Sequence, residues 1–267
     1  MMKKTIKTVI LLLVLFFLYA PILLLVFFSF TDAVTIGAFQ QFSLQNYVTL
    51  FTTPELRDMI IGTLLLALLS SMIACLLGTA GAIGAFYSGR RARSMIGSLN
   101  QIPVVNADVV TGFSICVLLV VVLGVSKESY LPLLFGHVTL SAPFVYLSVL
   151  PKLKQMDPNI YEAALDLGAT PAAALGKVVL PQLAPGIISG FALAVTLSLD
   201  DYFIATYTKP ATFDTISTYV VNATRGSQTQ IKTALWALSA VIFAVVVLIV
   251  ILMNLRAMRG RKEGVAV

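Results

Sequence analysis

Long apolar runs, each closed off by a cluster of charge, constrain this chain more than any other feature. One runs from Thr8 through Pro21 to Phe30 without a charged residue, and runs of similar length recur almost to the carboxy end. A helix rises ~1.5 Å per residue, so ~20 apolar residues cross a ~30 Å hydrocarbon core. The runs are continuous, whereas the strands of a membrane barrel alternate over ~10 residues. The 267 residues are 58% hydrophobic and 11% charged; a soluble domain is about 45–50% apolar and about 25% charged. The expected fold class is an all-α membrane protein: one transmembrane domain over residues 1–267, with six transmembrane helices.

The spans are expected near residues 8–30, 59–86, 103–123, 131–151, 183–208 and 234–255. Lys3, Lys4 and Lys7 before an apolar run look like a signal peptide, but that run is too long for one and lacks a small-residue cleavage site. The first span is therefore expected to stay uncleaved. Basic residues set the orientation. The amino terminus, the Arg90–Arg93 loop, the loop with Lys152, Lys154 and Lys177, and the tail from Arg256 to Lys262 hold thirteen of them on one side. Arg57, Lys127, Lys209, Arg225 and Lys232 make five on the other. Both termini are thus expected in the cytoplasm, and the chain in a bacterial inner membrane. The net charge of +6 needs no nucleic acid to explain it. Small residues at four-residue steps, Ala74, Gly78 and Ala82 in the second span and Gly186, Gly190 and Ala194 in the fifth, are expected to pack helices within the bundle.

Little here points to catalysis. Cys75 and Cys116 lie inside apolar runs and read as small core residues. His137 is the one histidine, too few for a usual metal site, and is expected to pack or hydrogen-bond. No nucleophile–base constellation and no G-x4-G-K-[ST] phosphate loop occurs.

The loop at about 152–182 carries the sharpest local signals. Asp157-Pro158 reads as an N-cap followed by a first helical residue, and Gly168 as the residue just past a helix end. Thr170-Pro171 starts a second helix, expected to stop at Leu180-Pro181. Two short helices about a glycine turn, with an alanine-rich face, make a docking element. Glu162-Ala163-Ala164, three residues, Gly168, nine residues, Val178, one residue, then Leu180-Pro181 resembles the EAA loop of type I ABC importer permeases, with valine where that pattern has isoleucine. The resemblance implies that this helix pair seats in a cleft of a separate ATPase subunit, Glu162 making polar contacts and Gly168 forming the bend. ATP and Mg would then be bound by that partner, leaving this chain without a cofactor and without an enzymatic activity.

The fifth span holds Asp200 and Asp201, about 20 Å along from Ile187 and followed again by apolar residues. Carboxylates in a membrane helix are costly unless they face water or a partner. Neighbours on a helix point ~100° apart, so one is expected to face a pathway and the other a helix. Tyr202 and Asp108 are further candidates for a substrate pathway. Ser198-Leu199-Asp200-Asp201, together with His137-Val138-Thr139, Pro143-Phe144-Val145 and Asp108-Val109-Val110 with Gly112, is similar to the spermidine/putrescine permeases of the second permease type. Lys209-Pro210 departs from the Gly-Pro usual there. The likeness covers about residues 8–255. It implies polyamine import with a second permease subunit, two ATP-binding subunits and an extracytoplasmic solute-binding protein. An anion importer of this fold would be expected to carry basic residues in its spans. A metal importer could use the acids, and a channel or secondary transporter has no need of an EAA loop.

Overall fold

A computed structural model describes residues 2–31, 41–157, 159–225, 233–244 and 247. Pro158, Asp32, Lys232, the end of the sixth expected span and the basic tail from Arg256 lie outside the described residues. Regular structure among the described residues is helical, apart from one isolated bridge between Thr31 and Phe42. Two compact units form, residues 1–58 with 220–267, and residues 59–219.

In the first unit, α1 (Met2–Phe28) is apolar from Thr8 onward and largely exposed there, as at Phe17 and Leu13. Its end is tied to α2 (Gln45–Thr52), where Asn46 Nδ2 donates to the carbonyls of Ser29 and Thr31. Ser29 Oγ and Tyr47 Oη share a further bond of 2.8 Å. A short apolar helix, Thr233–Ala244, buries Ala234 to Leu238, and Trp236 meets the Phe28 ring edge-on.

The second unit is built around α6 (Leu131–Gln155). α3 (Pro54–Tyr87) and α9 (Leu180–Asp200) lie against it, each along one of the small-residue stripes seen in the sequence. A Cβ on Gly190 would stand 3.2 Å from Val145 Cα, and one on Gly186 2.9 Å from the Lys152 side chain. Both stripes thus pack within the chain. Val145, Tyr146, Val149 and Leu153 of α6 form the core with Ala82 and Ala85 of α3 and Leu183 and Ala194 of α9.

Two expected spans are not single helices. The third is an elbow, in which α4 (Arg90–Val105) meets α5 (Asp108–Cys116, continued by a π-helical stretch to Val122) at 104°. Pro103, the expected start of that span, lies inside α4. The bend falls at Asn106 and Ala107, both extended, where Asn106 Nδ2 bonds Thr111 Oγ1 at 3.0 Å. The fifth ends at Asp200 and resumes as α10 (Phe203–Thr208). Among the described residues, four helices are long and apolar enough to cross a membrane, and five if the elbow is one span.

Candidate functional site

Two places in the second unit concentrate the chemistry, at opposite ends of α6. His137 lies near one and Gln155 leads into the other, eighteen residues or ~27 Å apart along the helix.

At the Gln155 end, α7 (Asn159–Asp166) is capped by Asp157, whose Oδ1 accepts from Asn159 N at 2.9 Å. The helix ends because Gly168 takes φ +85°, a left-handed conformation that glycine adopts without a Cβ penalty. Ala169 N then reaches Ala164 O and Gly168 N reaches Leu165 O, the paired bonds of a Schellman turn. Thr170 caps α8 (Pro171–Ala174), accepting from Ala173 N. The expected stop at Leu180-Pro181 does not occur. A π-helical stretch, Leu175–Val179, carries the chain without a break into α9. Pro181 follows that stretch directly, as the second residue of α9. Glu162 and Ala163 are exposed, as are Leu180 and Pro181, while Ala164 is half-buried. Leu167, which the sequence reading passed over, is 90% exposed at the tip of the turn. Tyr161 anchors the pair, its ring 5.1 Å from that of Tyr87 on α3.

The opposite end is an acidic break. Asp201 N makes the last bond of α9, to Leu197 O, and Asp201 then turns extended with ψ 124°. Its carboxylate accepts from Ile204 N at 3.2 Å and Ala205 N at 2.7 Å, so it caps the short helix that follows. It is 8% exposed. Asp200, by contrast, is exposed at the end of α9. Tyr202 is half-buried with its ring on Phe203. Asp108, exposed in the first turn of α5, is near enough to act electrostatically on Asp201. The two aspartates thus differ in exposure, and a break in the helix, not rotation along one, separates them.

Contacts from several elements hold the break in place. Ile204 of α10 sits against Gly112 of α5 and Gly136 of α6, where a Cβ would stand 2.8 Å from Ile204 Cα and 2.6 Å from its Cγ2. Ser198 and Ser70 share a bond across α9 and α3, and Ser217 donates to the free Leu199 carbonyl. Lys209, the departure noted in the sequence, is bound 3.1 Å from Asp214 Oδ1 and donates to Phe213 O. Its charge is thereby satisfied locally.

A sequence profile described as the inner membrane component of binding-protein-dependent transport systems matches residues 78–262, more than half of the chain. The chain belongs to that family. It is a permease subunit of an ABC importer, one chain of a machine that works with other subunits. The permease is 33% identical over 224 residues to the putrescine transport system permease protein PotI of Escherichia coli (strain K12), covering 82% of this chain and 80% of that one. It is 30% identical over 191 residues to the spermidine/putrescine transport system permease protein PotC of the same strain, covering 72% of each. Its fold is similar to that of a bacterial ABC transporter involved in the import of alginate, at TM-score 0.73 and 21% identity over 94% of this chain and 95% of that one. A second structure, of an alginate ABC transporter with a pentasaccharide-bound periplasmic protein, matches at TM-score 0.70 and 20% identity, over 93% and 92%.

Proposed function

We propose that this permease carries polyamines, putrescine or spermidine, from an extracytoplasmic binding protein to the cell interior, with ATP and Mg bound by a partner ATPase pair and none bound here. The observation that carries the reading is the exposure of Asp200 at the carboxy end of α9. A helix presents partial negative charge at that end, so a carboxylate there gains nothing from its own helix and both attract a cation. Asp108 adds a second negative group nearby, and Lys209 is held by Asp214. The curated relatives quoted above are named for putrescine and spermidine, which supports the same substrate class. The acidic break offers nothing of the basic lining that an anion would need.

The coupling follows from connectivity. Gln155 leads from α6 into the Glu162–Gly168 turn, and that turn leads through Leu180 into α9, which ends at Asp200. With Val145 and Ser148 of α6 seated against Gly190 of α9, the two helices form a stiff antiparallel pair. Movement of the turn by the ATPase is thus delivered to Asp200. In this reading the turn and both termini face the cytoplasm, the chain makes six crossings as one permease domain in the inner membrane, and its partner is a second permease. Vesicles containing the full complex should take up labelled putrescine or spermidine with ATP, and Asp200→Asn should slow uptake about tenfold with assembly intact. A complex that moves neither polyamine but hydrolyses ATP in response to another ligand overturns the substrate assignment.

A further inference from the structure

The His137 side chain of α6 is wholly closed off from solvent. Its Nδ1 lies 2.9 Å from the Leu133 carbonyl one turn earlier. A carbonyl only accepts, so Nδ1 carries a hydrogen and Nε2 is left to face another group. Nε2 has no partner at full hydrogen-bond geometry; it lies 3.7 Å from Asp201 Oδ2, and the Ser198 backbone also bears on the ring. Both oxygens of Asp201 already accept backbone N–H groups, the arrangement that suits an ionised carboxylate. An Nε2 lone pair against that anion would be repulsive. One proton held between Nε2 and the carboxyl removes the conflict and leaves a pair with no net charge.

We infer that His137 is the positioning residue of the acidic break: it neutralises Asp201 in the core, so that α9 stops at residue 200 and Asp200 is presented outward. This rests on the reading that Asp200 meets the solute. The placement is specific. Gly136, the residue before His137, is one of the two glycines that admit Ile204, so part of the seating of α10 and the neutralising of its cap occur on adjacent residues of α6. Asp108 also bears on Asp201, and being acidic it increases the need for a neutralising partner at position 137. A buried pair of this kind is badly damaged by loss of one partner, whereas replacing both by neutral groups is far better tolerated.

The experiment uses the assembled complex, with His137→Leu, Asp201→Asn and the double variant. Polyamine uptake is measured in each. Accessibility is read separately from Asp200→Cys, in a background with Cys75→Ala and Cys116→Ala, by its labelling rate with a membrane-impermeant maleimide. His137→Leu is expected to lower uptake about tenfold and to alter the labelling rate at position 200 about fivefold, and Asp201→Asn added to it should restore both to within about threefold. Where His137→Leu prevents assembly, recovery of assembly in the double variant reads the same pairing. Unchanged labelling in His137→Leu, or a double variant no better than the single, overturns the inference. Wild-type complex that moves no polyamine strikes the substrate reading alone, because the labelling comparison does not depend on the cargo.

Discussion

Gly78 on α3 faces Val145 on α6 so closely that a Cβ on the glycine would stand 2.7 Å from Val145 Cβ and 2.7 Å from the Ala142 carbonyl. Without a hydrophobic drive between helices in lipid, such close backbone approach is what makes packing contacts numerous enough to hold a bundle. Gly84, two turns along the same helix, has nothing within 4 Å of a would-be Cβ.

The two glycines should therefore answer differently to substitution. Gly78→Leu must push α3 off α6 and is expected to destabilise the bundle by ~3 kcal/mol or more, beyond the ordinary range of core overpacking because backbone stands in the way. Gly84→Ala should leave stability unchanged or slightly raised, since it removes helix-opposing backbone freedom. Thermal unfolding of the detergent-solubilised complex separates the cases. Equal midpoints for Gly78→Leu and wild type would show that the α3–α6 approach is not a structural requirement.

What the sequence made legible was mostly local chemistry. Asp157, Gly168 and Thr170 each act on backbone groups within five residues, so their spacing alone located the caps and the turn. The two breaks were not legible for the same reason. Asn106-Ala107 and Asp201-Tyr202 carry neither glycine nor proline, and the apolar runs continue past them. Meanwhile Pro103, Pro143, Pro151 and Pro185 sit inside helices, where proline reads as a boundary. His137 and Asp201 are sixty-four positions apart, and their pairing depends on how α6, α9 and α10 come together. An unplaced acid and an unplaced histidine in apolar runs were the available clue, since ionisable groups in membranes tend to pair.

Asp214 is expected to protect a cation path from Lys209. The pair is mostly shielded, at 16% and 32% side-chain exposure, and Thr218 Oγ1 also donates to Asp214. Asp214→Asn leaves Lys209 as an unpaired positive charge at the end of α10. The apparent KM for putrescine should then rise about threefold to tenfold, while Lys209→Met combined with Asp214→Asn should return it close to wild type. Initial uptake rates against concentration decide the matter, and a KM unmoved by Asp214→Asn would dissociate this pair from substrate passage.

Gly168 is held at φ +85°, so any side chain there strains the turn by roughly 1–2 kcal/mol. Nothing crowds the position, with no atom within 4 Å of a Cβ. Gly168→Val should accordingly spare the fold of the permease while misdirecting the short helices about the turn. The expected result is an assembled complex whose ATPase responds several-fold less to loaded binding protein. A fully stimulated ATPase in that variant would mean that the left-handed turn is not needed for coupling.

Leu167 offers the sharpest separation of docking from folding. A large apolar side chain 90% exposed at the tip of a turn stabilises nothing within its own chain, and exposed apolar groups of this kind gain by being buried against a partner. The neighbouring residues on the exposed side, Glu162 and Ala163, are small or polar and leave Leu167 projecting. Leu167→Glu removes the apolar knob and would bring a charge into a closed interface. Capture of the ATPase subunit by tagged permease in mild detergent should fall about tenfold or more, with the thermal midpoint of the isolated permease subunits unchanged. Leu167→Met, nearly equal in volume and apolar, should retain capture, which makes the effect one of surface chemistry and not of turn geometry. Capture at the wild-type level by Leu167→Glu would move the docking contact away from the tip, towards Glu162 and the exposed face of α7.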